Sequence, residues 1–151
     1  MRFVNLASSA SAWRGLEYYQ RKKVKSYIKT GEEQYEGVVE GSNGRKYDVF
    51  IDVEHPKRSK CNCPLAKDRI LVCKHKIALY FAVFPEKADE YERLVEESER
   101  EYEEYQKELY NKFIEYVNSM SADELRQALL DVIDDAPEWV YERFVRNHID
   151  F

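Results

Sequence analysis

All three cysteines of the chain lie within thirteen residues, and a histidine follows two positions after the last. The pattern is Cys61-x-Cys63, then nine residues, then Cys73-x-His75. Thiolate sulfur and imidazole nitrogen are donors that Zn²⁺ prefers, and four of them complete its tetrahedral shell. We therefore predict a Zn²⁺ site with these four residues as its ligands. Because four protein ligands leave no open position for water, the pattern favours a structural ion over a hydrolytic one.

Two alternatives to a metal site remain open for the cysteines. In the first, the three thiols are buried as apolar side chains and bind no metal. A disulfide between Cys61 and Cys63 would form a strained small ring and leave Cys73 free, and an odd number of cysteines argues against a secreted disulfide framework. The cations around the motif, which either offset the thiolate charge or bind phosphate, are Lys60, Lys67, Arg69, Lys74 and Lys76.

The rest of the sequence lacks the familiar motifs of catalysis. It has no glycine-rich phosphate loop, no nucleophile elbow and no H-E-x-x-H helix. Neighbouring carboxylates such as Glu96 and Glu97 belong to a charged helical segment, where such pairs usually form a solvated face. We therefore predict a binding module rather than an enzyme, with no small-molecule substrate.

Four strands are predicted between the first helix and the metal motif. Turn signals separate them, and the pair Asn43-Gly44 is a strong indication of a hairpin. In the third strand, Val49 and Ile51 alternate with polar residues such as Asp52, which predicts one buried and one polar face. The predicted strands cover residues 24–29, 34–40, 46–53 and 57–61.

The remaining segments predict helices. The segment after Cys73 is apolar almost all round, which is typical of a buried helix. Beyond Pro85, aromatic and aliphatic residues at three- and four-residue steps predict one long helix, and Ser121 with Glu124 forms a capping box for the next. Gly15 weakens the prediction of the first helix. The predicted helices cover residues 10–22, 74–84, 86–118, 121–133 and, opened by a proline, 137–145.

These elements predict an α+β fold, with a small antiparallel β-hairpin or sheet, a zinc knuckle and a helix, followed by an α-helical C-terminal extension. We predict a zinc-finger domain over 1–84 and an acidic helical extension over 85–151, with one long and two short helices. The charge divides at the same point. Residues 1–84 hold 16 Lys and Arg against 9 Asp and Glu, whereas residues 85–151 hold 8 against 20.

The sequence also bears on location. No apolar run approaches the roughly eighteen residues that a membrane span requires. Near the N-terminus, residues 3–7 are too short for the apolar region of a signal peptide. We therefore expect a cytoplasmic, intracellular protein that has no membrane partner.

At the metal motif the sequence resembles the SWIM zinc-finger family, whose signature is C-x-C-x(n)-C-x-H. The resemblance covers roughly residues 7–84. It extends from the segment around Trp13 through the run Gly44-Arg45-Lys46-Tyr47 to the helix start Cys73-Lys74-His75-Lys76-Ile77-Ala78-Leu79. The resemblance implies a β-hairpin and a helix around structural zinc, in a family generally taken to bind DNA or protein.

Two functions fit this pattern, and we favour the first. In the first, the finger is a scaffold within a complex that acts on DNA, and the acidic helix over 86–118 binds a protein partner or a second copy of the chain. In the second, the basic half of the chain binds DNA or RNA directly, without sequence specificity. Its aromatic residues Trp13, Tyr18, Tyr19 and Tyr27 are interleaved with cations. The residues predicted to contact nucleic acid are Arg14, Arg21, Lys22, Lys23, Lys25, Lys67, Arg69 and Lys74.

Overall fold

The computed structural model describes residues 2–149 and has the predicted α+β architecture. The strands are β1 (Val24–Gly31), β2 (Gln34–Glu40), β3 (Lys46–Asp52) and β4 (Lys60–Cys61). They form one antiparallel sheet in the order β1-β2-β3-β4. The helices are α1 (Ser9–Gln20), α2 (Lys74–Val83), α3 (Pro85–Ser119), α4 (Ala122–Asp135) and α5 (Glu138–His148).

The last strand is shorter than its prediction. Of the strand predicted over 57–61, only Lys60–Cys61 pairs with β3. The segment Pro56–Arg58 forms a 3-10 turn instead. Pro56 favours this turn, because it stands at the first position and fixes φ near the helical value. β4 is therefore a two-residue edge strand that enters the metal motif directly.

α2 is buried on every side, as its sequence predicts. All residues over 75–81 are buried, and the helix lies on the face of the sheet that carries Val49 and Ile51. Gly37 in β2 permits this close approach, since a Cβ at that position would meet Leu79 Cδ1 at 2.7 Å. The predicted alternation of β3 is thus confirmed for its apolar face.

α1 packs against α2 through Gly15. A Cβ at this position would meet Ile77 Cγ2 at 2.3 Å and the Lys74 carbonyl oxygen at 3.1 Å. The glycine lowers the helix propensity of α1, but it lets the two helices approach closely. Because α2 begins at Lys74, this contact helps to position the second half of the metal motif.

Asp52, at the end of β3, is buried although the strand pattern predicts it on the polar face. Its carboxylate accepts hydrogen bonds from the His55 N–H at 2.7 Å and from the Gln34 amide at 3.0 Å. The Ser59 hydroxyl oxygen accepts the Asp52 N–H at 3.0 Å. Burial opposes ionisation of Asp52, but the hydrogen bonds from His55 and Gln34, together with the nearby charge of Arg58, outweigh it and lower the pKa of the carboxyl below its ordinary value. The network shapes the turn that leads from β3 to Cys61.

The contacts of the chain define two units that meet between Ser98 and Glu99, within α3. In the first unit, the opening turns of α3 contribute to the core. Ala88 is buried, and the Tyr91 ring centroid lies 5.7 Å from that of Phe81. These turns belong to the first unit by their contacts, whereas the sequence places the boundary fourteen residues earlier, at the start of α3.

The second unit comprises the rest of α3 together with α4 and α5. The predicted capping box opens α4: Ser121 Oγ accepts the Glu124 N–H at 3.3 Å, and the Glu124 carboxylate accepts the Ser121 N–H at 2.7 Å. No residue that the structure describes in this unit is buried. Across residues 2–149, no helix combines the length and apolar character that a membrane crossing requires.

Candidate metal centre

The four predicted ligands converge from two parts of the first unit. Cys61 ends β4 and is fixed by the pairing of that strand with β3. Cys63 follows Asn62, whose side-chain oxygen accepts a β3 backbone N–H at 3.0 Å. Cys73 is the N-cap of α2, and His75 lies in the first turn of that helix. An edge strand and a helix start thus bring the two halves of the motif together.

The geometry of the cluster is compatible with one bound metal ion. The candidate ligand atoms all lie within 4.8 Å of one another, and all four residues are buried. Cys61 Sγ is 3.8 Å from His75 Nδ1. In a tetrahedral zinc site, metal–ligand bonds of about 2.0–2.3 Å separate such donor pairs by about 3.5–3.8 Å. The three cysteines are free thiols, so the alternative disulfide is not formed.

The thiols are close enough to share protons. The hydrogen bond with the Cys61 thiol lowers the pKa of Cys73, and His75 contributes in the same direction. The same hydrogen bond, and then burial, raises the pKa of Cys61. Three buried thiolates at this separation repel one another, and a metal ion bound by them would replace the shared protons. The donor set therefore suits a cation.

Lys76 is a buried counter-charge beside the cluster. It is 1% exposed, and its ammonium group donates hydrogen bonds to the carbonyl oxygens of Ser59 and Leu71, both at 2.7 Å. Burial lowers the pKa of Lys76, and the thiolates of the cluster, Cys73 foremost, act in the opposite direction. A divalent cation held by three thiolates would carry a formal charge of −1, which this ammonium would offset. Lys76 also links the residue before β4 to the loop before Cys73.

Two tyrosine rings enclose the imidazole of His75. Its centroid lies 4.7 Å from that of Tyr47 and 5.5 Å from that of Tyr18, which meets it edge-on. Within residues 2–149, neither His75 Nε2 nor Tyr18 Oη has a hydrogen-bond partner, although both atoms are buried. Most metal-bound histidines donate their second N–H to a neighbouring acceptor. Here ring packing orients the imidazole instead.

The basic run that follows α1 is partly neutralised. Lys23 and Lys25 both pair with Glu40, the second at 3.0 Å. Arg21 lies 3.9 Å from a carboxylate one turn back in α1, whereas Lys22 is exposed and has no ion pair among the described residues. Four of the eight cations predicted to contact nucleic acid lie in this run, and three of the four face a carboxylate.

The aromatic residues interleaved with that run are not all accessible. Tyr18 is buried against His75, and the Tyr19 ring packs 6.3 Å from that of Phe81. Trp13 and Tyr27, by contrast, are 44% and 47% exposed. A stacking surface built from all four rings is therefore excluded by the fold.

The other four predicted cations line two clefts beside the metal motif. Arg14 and Lys74 line a pocket of about 250 Å³ that also contains His75. Lys67 and Arg69 line a groove of about 480 Å³, which we call the basic groove. Residues 57–62 and 66–70 contribute to its walls. Its charged side chains are Lys57, Arg58, Lys60, Lys67, Arg69 and one carboxylate, Asp68.

Comparisons with protein-family models, with curated proteins and with solved structures found no match for this chain. Its class therefore rests on the fold and the site. The first unit is an α+β structure around a buried Cys₃His cluster that can hold a metal ion. The second unit is helical and acidic.

Sequence reasoning missed part of this site. Lys76 is grouped with the other cations of the motif by its sequence neighbourhood, yet it is enclosed by the core. A signal for this exists, because the residues that follow it, from Ile77 to Phe84, are all apolar or aromatic. No comparable signal marks Lys57 and Arg58, which join the basic groove only because the chain turns at Pro56.

Proposed function

We propose that the protein is a zinc-binding module of the SWIM type that acts as a protein-interaction adaptor. The buried cluster of Cys61, Cys63, Cys73 and His75 supports zinc, because three thiolates and one imidazole match its preferred donors. Four protein ligands leave no position for a reacting water, so the ion has a structural role and the protein is not an enzyme. The metal ties β4 to the start of α2.

The adaptor role is carried by the exposure of the second unit. Among residues 99–149 none is buried, yet fourteen large apolar side chains are exposed. Exposed apolar surface of this extent marks an interaction site, because a small helical unit gains its stability from packing. The exposed residues are Tyr102, Tyr105, Leu109, Tyr110, Phe113, Ile114, Tyr116, Leu125, Leu129, Leu130, Val132, Trp139, Tyr141 and Ile149.

The charge of this unit indicates the chemistry of the partner. Residues 99–149 hold 13 Asp and Glu against 6 Lys and Arg. Two copies of such a surface repel each other, whereas an apolar groove bordered by Lys and Arg complements both features. We therefore assign a basic protein as the partner, ahead of a second copy. Proteins that act on DNA carry such basic surfaces, which is consistent with a role in a DNA-transaction complex.

Substitution of the exposed stripe tests the adaptor role. Tyr105 and Leu109 are 59% and 48% exposed, so Tyr105→Glu with Leu109→Glu should leave the helices intact. Gln106→Glu with Asn111→Glu is the matched control, since it adds the same charge at exposed polar positions of the same helix. We expect a protein partner to co-purify with the wild-type chain at high salt, and we expect the stripe variant to lose it. The control should retain it.

Three measurements on the stripe variant separate a protein partner, a second copy and packing within the chain. They are recovery of the partner by co-purification, molecular mass by light scattering and helix content by circular dichroism. Equal recovery of the partner by the stripe variant and the wild type would contradict the adaptor role. A fall in molecular mass would identify a second copy of the chain as the partner. Loss of helix at unchanged mass would mean that the stripe packs within its own chain.

Direct binding of DNA or RNA is the second candidate function. The basic groove favours it, because five cations there face one carboxylate in a protein whose net charge is −5. Such a surface binds the phosphate backbone without reading sequence. A salt-dependent change in the fluorescence anisotropy of a labelled DNA duplex on addition of the full chain tests this function. No change at low salt would contradict it.

A further inference from the structure

We propose that the basic groove, rather than the basic run after α1, is the surface that binds the phosphodiester backbone of nucleic acid. This inference rests on the second candidate function, direct binding of DNA or RNA, and identifies the residues that would carry it. Two of the groove cations, Lys57 and Arg58, are additional to the residues that the sequence relates to phosphate or nucleic-acid binding.

The charge of the groove is concentrated and available. All five of its cations are exposed, and none forms an ion pair within residues 2–149. Asp68 is the only carboxylate among the described residues that line the groove. A duplex carries one negative charge per roughly 1.7 Å of its axis, and cations that replace its counterions gain affinity by releasing them. Five unpaired cations in one groove are suited to this.

The run after α1 differs in this respect. Lys23 and Lys25 lie against Glu40, and their hydrogen bonds, that of Lys23 first, lower the pKa of its carboxyl. The carboxylate is therefore ionised and holds both ammonium groups. A phosphate that approached this run would have to displace Glu40, whereas no described carboxylate lies within ion-pair distance of a groove cation.

The groove also has apolar surface and a link to the metal centre. Ile70 is 77% exposed and lines the groove, where it can contact sugar or base. One wall comes from the 3-10 turn and β4, and the other from the loop between Cys63 and Cys73. Because both ends of that loop are candidate metal ligands, a bound ion would fix the second wall against the first.

The test uses the full zinc-loaded chain and a labelled duplex of arbitrary sequence. Lys67→Ala with Arg69→Ala removes two cations of the groove. Arg21→Ala with Lys22→Ala, the matched control, removes two exposed cations of the run. Each phosphate contact adds about 0.9 to the slope of log K against log salt. We expect the groove variant to lose about 1.8 from this slope, which corresponds to affinity about 60-fold weaker at 0.1 M salt. The control should keep the wild-type slope.

A second variant guards against damage to the metal loop. Lys57→Ala with Arg58→Ala changes only the other wall, which contains no metal ligand between residues 56 and 60, and should reduce the slope by the same amount. If both groove variants keep the wild-type slope while the control loses it, the groove assignment is overturned and the nucleic-acid function stands. If the wild-type chain does not bind the duplex at 50 mM salt, that function fails and the assignment fails with it.

Two further arms identify the source of the phosphate. Inorganic phosphate at the same phosphate concentration should not displace the duplex, because one free ion cannot satisfy five separated cations. Binding of the wild-type chain to anionic lipid vesicles in preference to the duplex, weakened in both groove variants, would overturn the assignment in favour of a membrane surface.

Discussion

At the scale of single residues, the candidate metal centre depends on more than its four ligands. The buried ammonium of Lys76 lies beside three thiols and donates hydrogen bonds to carbonyl oxygens of the two segments that lead into the motif. A buried charge is stable only where it is paired and hydrogen-bonded. The positive charge of Lys76 therefore offsets the negative charge of the thiolates. Its two hydrogen bonds also hold the segments around Ser59 and Leu71 in place.

We expect Lys76→Met to destabilise the protein and weaken its hold on zinc. Methionine has a similar length but leaves the carbonyl oxygens of Ser59 and Leu71 without their donor, at a cost of about 1–3 kcal/mol for each buried acceptor. Lys46→Met removes an exposed lysine from β3 and should change the free energy of unfolding by less than about 0.5 kcal/mol. Urea unfolding and competition for zinc against a chelator measure the two effects. Equal unfolding free energies in both variants would refute this role.

At the scale of elements, the contact between α1 and α2 decides how the second half of the motif is placed. Alanine at position 15 would gain about 1 kcal/mol in helix propensity. Its Cβ would however lie 2.3 Å from Ile77 Cγ2 and 2.4 Å from Ile77 Cβ, and overpacking of this kind costs about 1–3 kcal/mol.

We therefore expect Gly15→Ala to destabilise the first unit and to weaken zinc binding, because α2 must move away at the turn that carries His75. Ser9→Ala, at an exposed position of the same helix, should leave both properties unchanged. Thermal unfolding monitored by circular dichroism provides the comparison. A Gly15→Ala protein more stable than the wild type would mean that propensity outweighs the steric contact.

Most elements are predictable from the sequence because their signals are local. The capping box at Ser121 and the alternation in β3 depend on residues a few positions apart, and the structure confirms both. The four candidate ligands share one short motif, so their meeting is predictable as well. The burial of Asp52 was not, because it depends on partners that only the folded chain brings near. The burial of Lys76 has a local signal in the apolar run that follows it, but its carbonyl partners do not. The shortening of β4 follows from one buried proline.

At the scale of the whole molecule, two units differ in what stabilises them. The first has a core of buried side chains and a candidate metal centre. The second buries none of its described residues and carries an excess of carboxylates. A unit of this kind opens locally at low cost unless a partner covers its apolar surface.

Hydrogen exchange should reveal this difference. We expect amide protons of α2 and β3 to exchange only with global unfolding, and those of α4 and α5 to exchange through local opening, at least a hundred times faster on an order-of-magnitude basis. Addition of the partner should slow exchange in α4, in α5 and in the part of α3 that follows Ser98, and should leave α2 and β3 unchanged. Equal protection of amide protons in the two units of the isolated chain would contradict the proposal that the second unit needs a partner to cover its apolar surface.

The metal content of the purified full chain tests the central claim most directly. We expect one zinc per chain in the wild type, since three thiolates and one imidazole complete a tetrahedral shell. Cys73→Ser and His75→Ala should lose the ion, whereas His55→Ala, at an exposed histidine outside the cluster, should retain it. Removal of zinc by a chelator should unfold at least residues 24–84, because a small sheet with a limited core needs a cross-link such as a bound metal to stay folded. Equal zinc in the wild type and Cys73→Ser, or no zinc in the wild type, would contradict the assignment of this site.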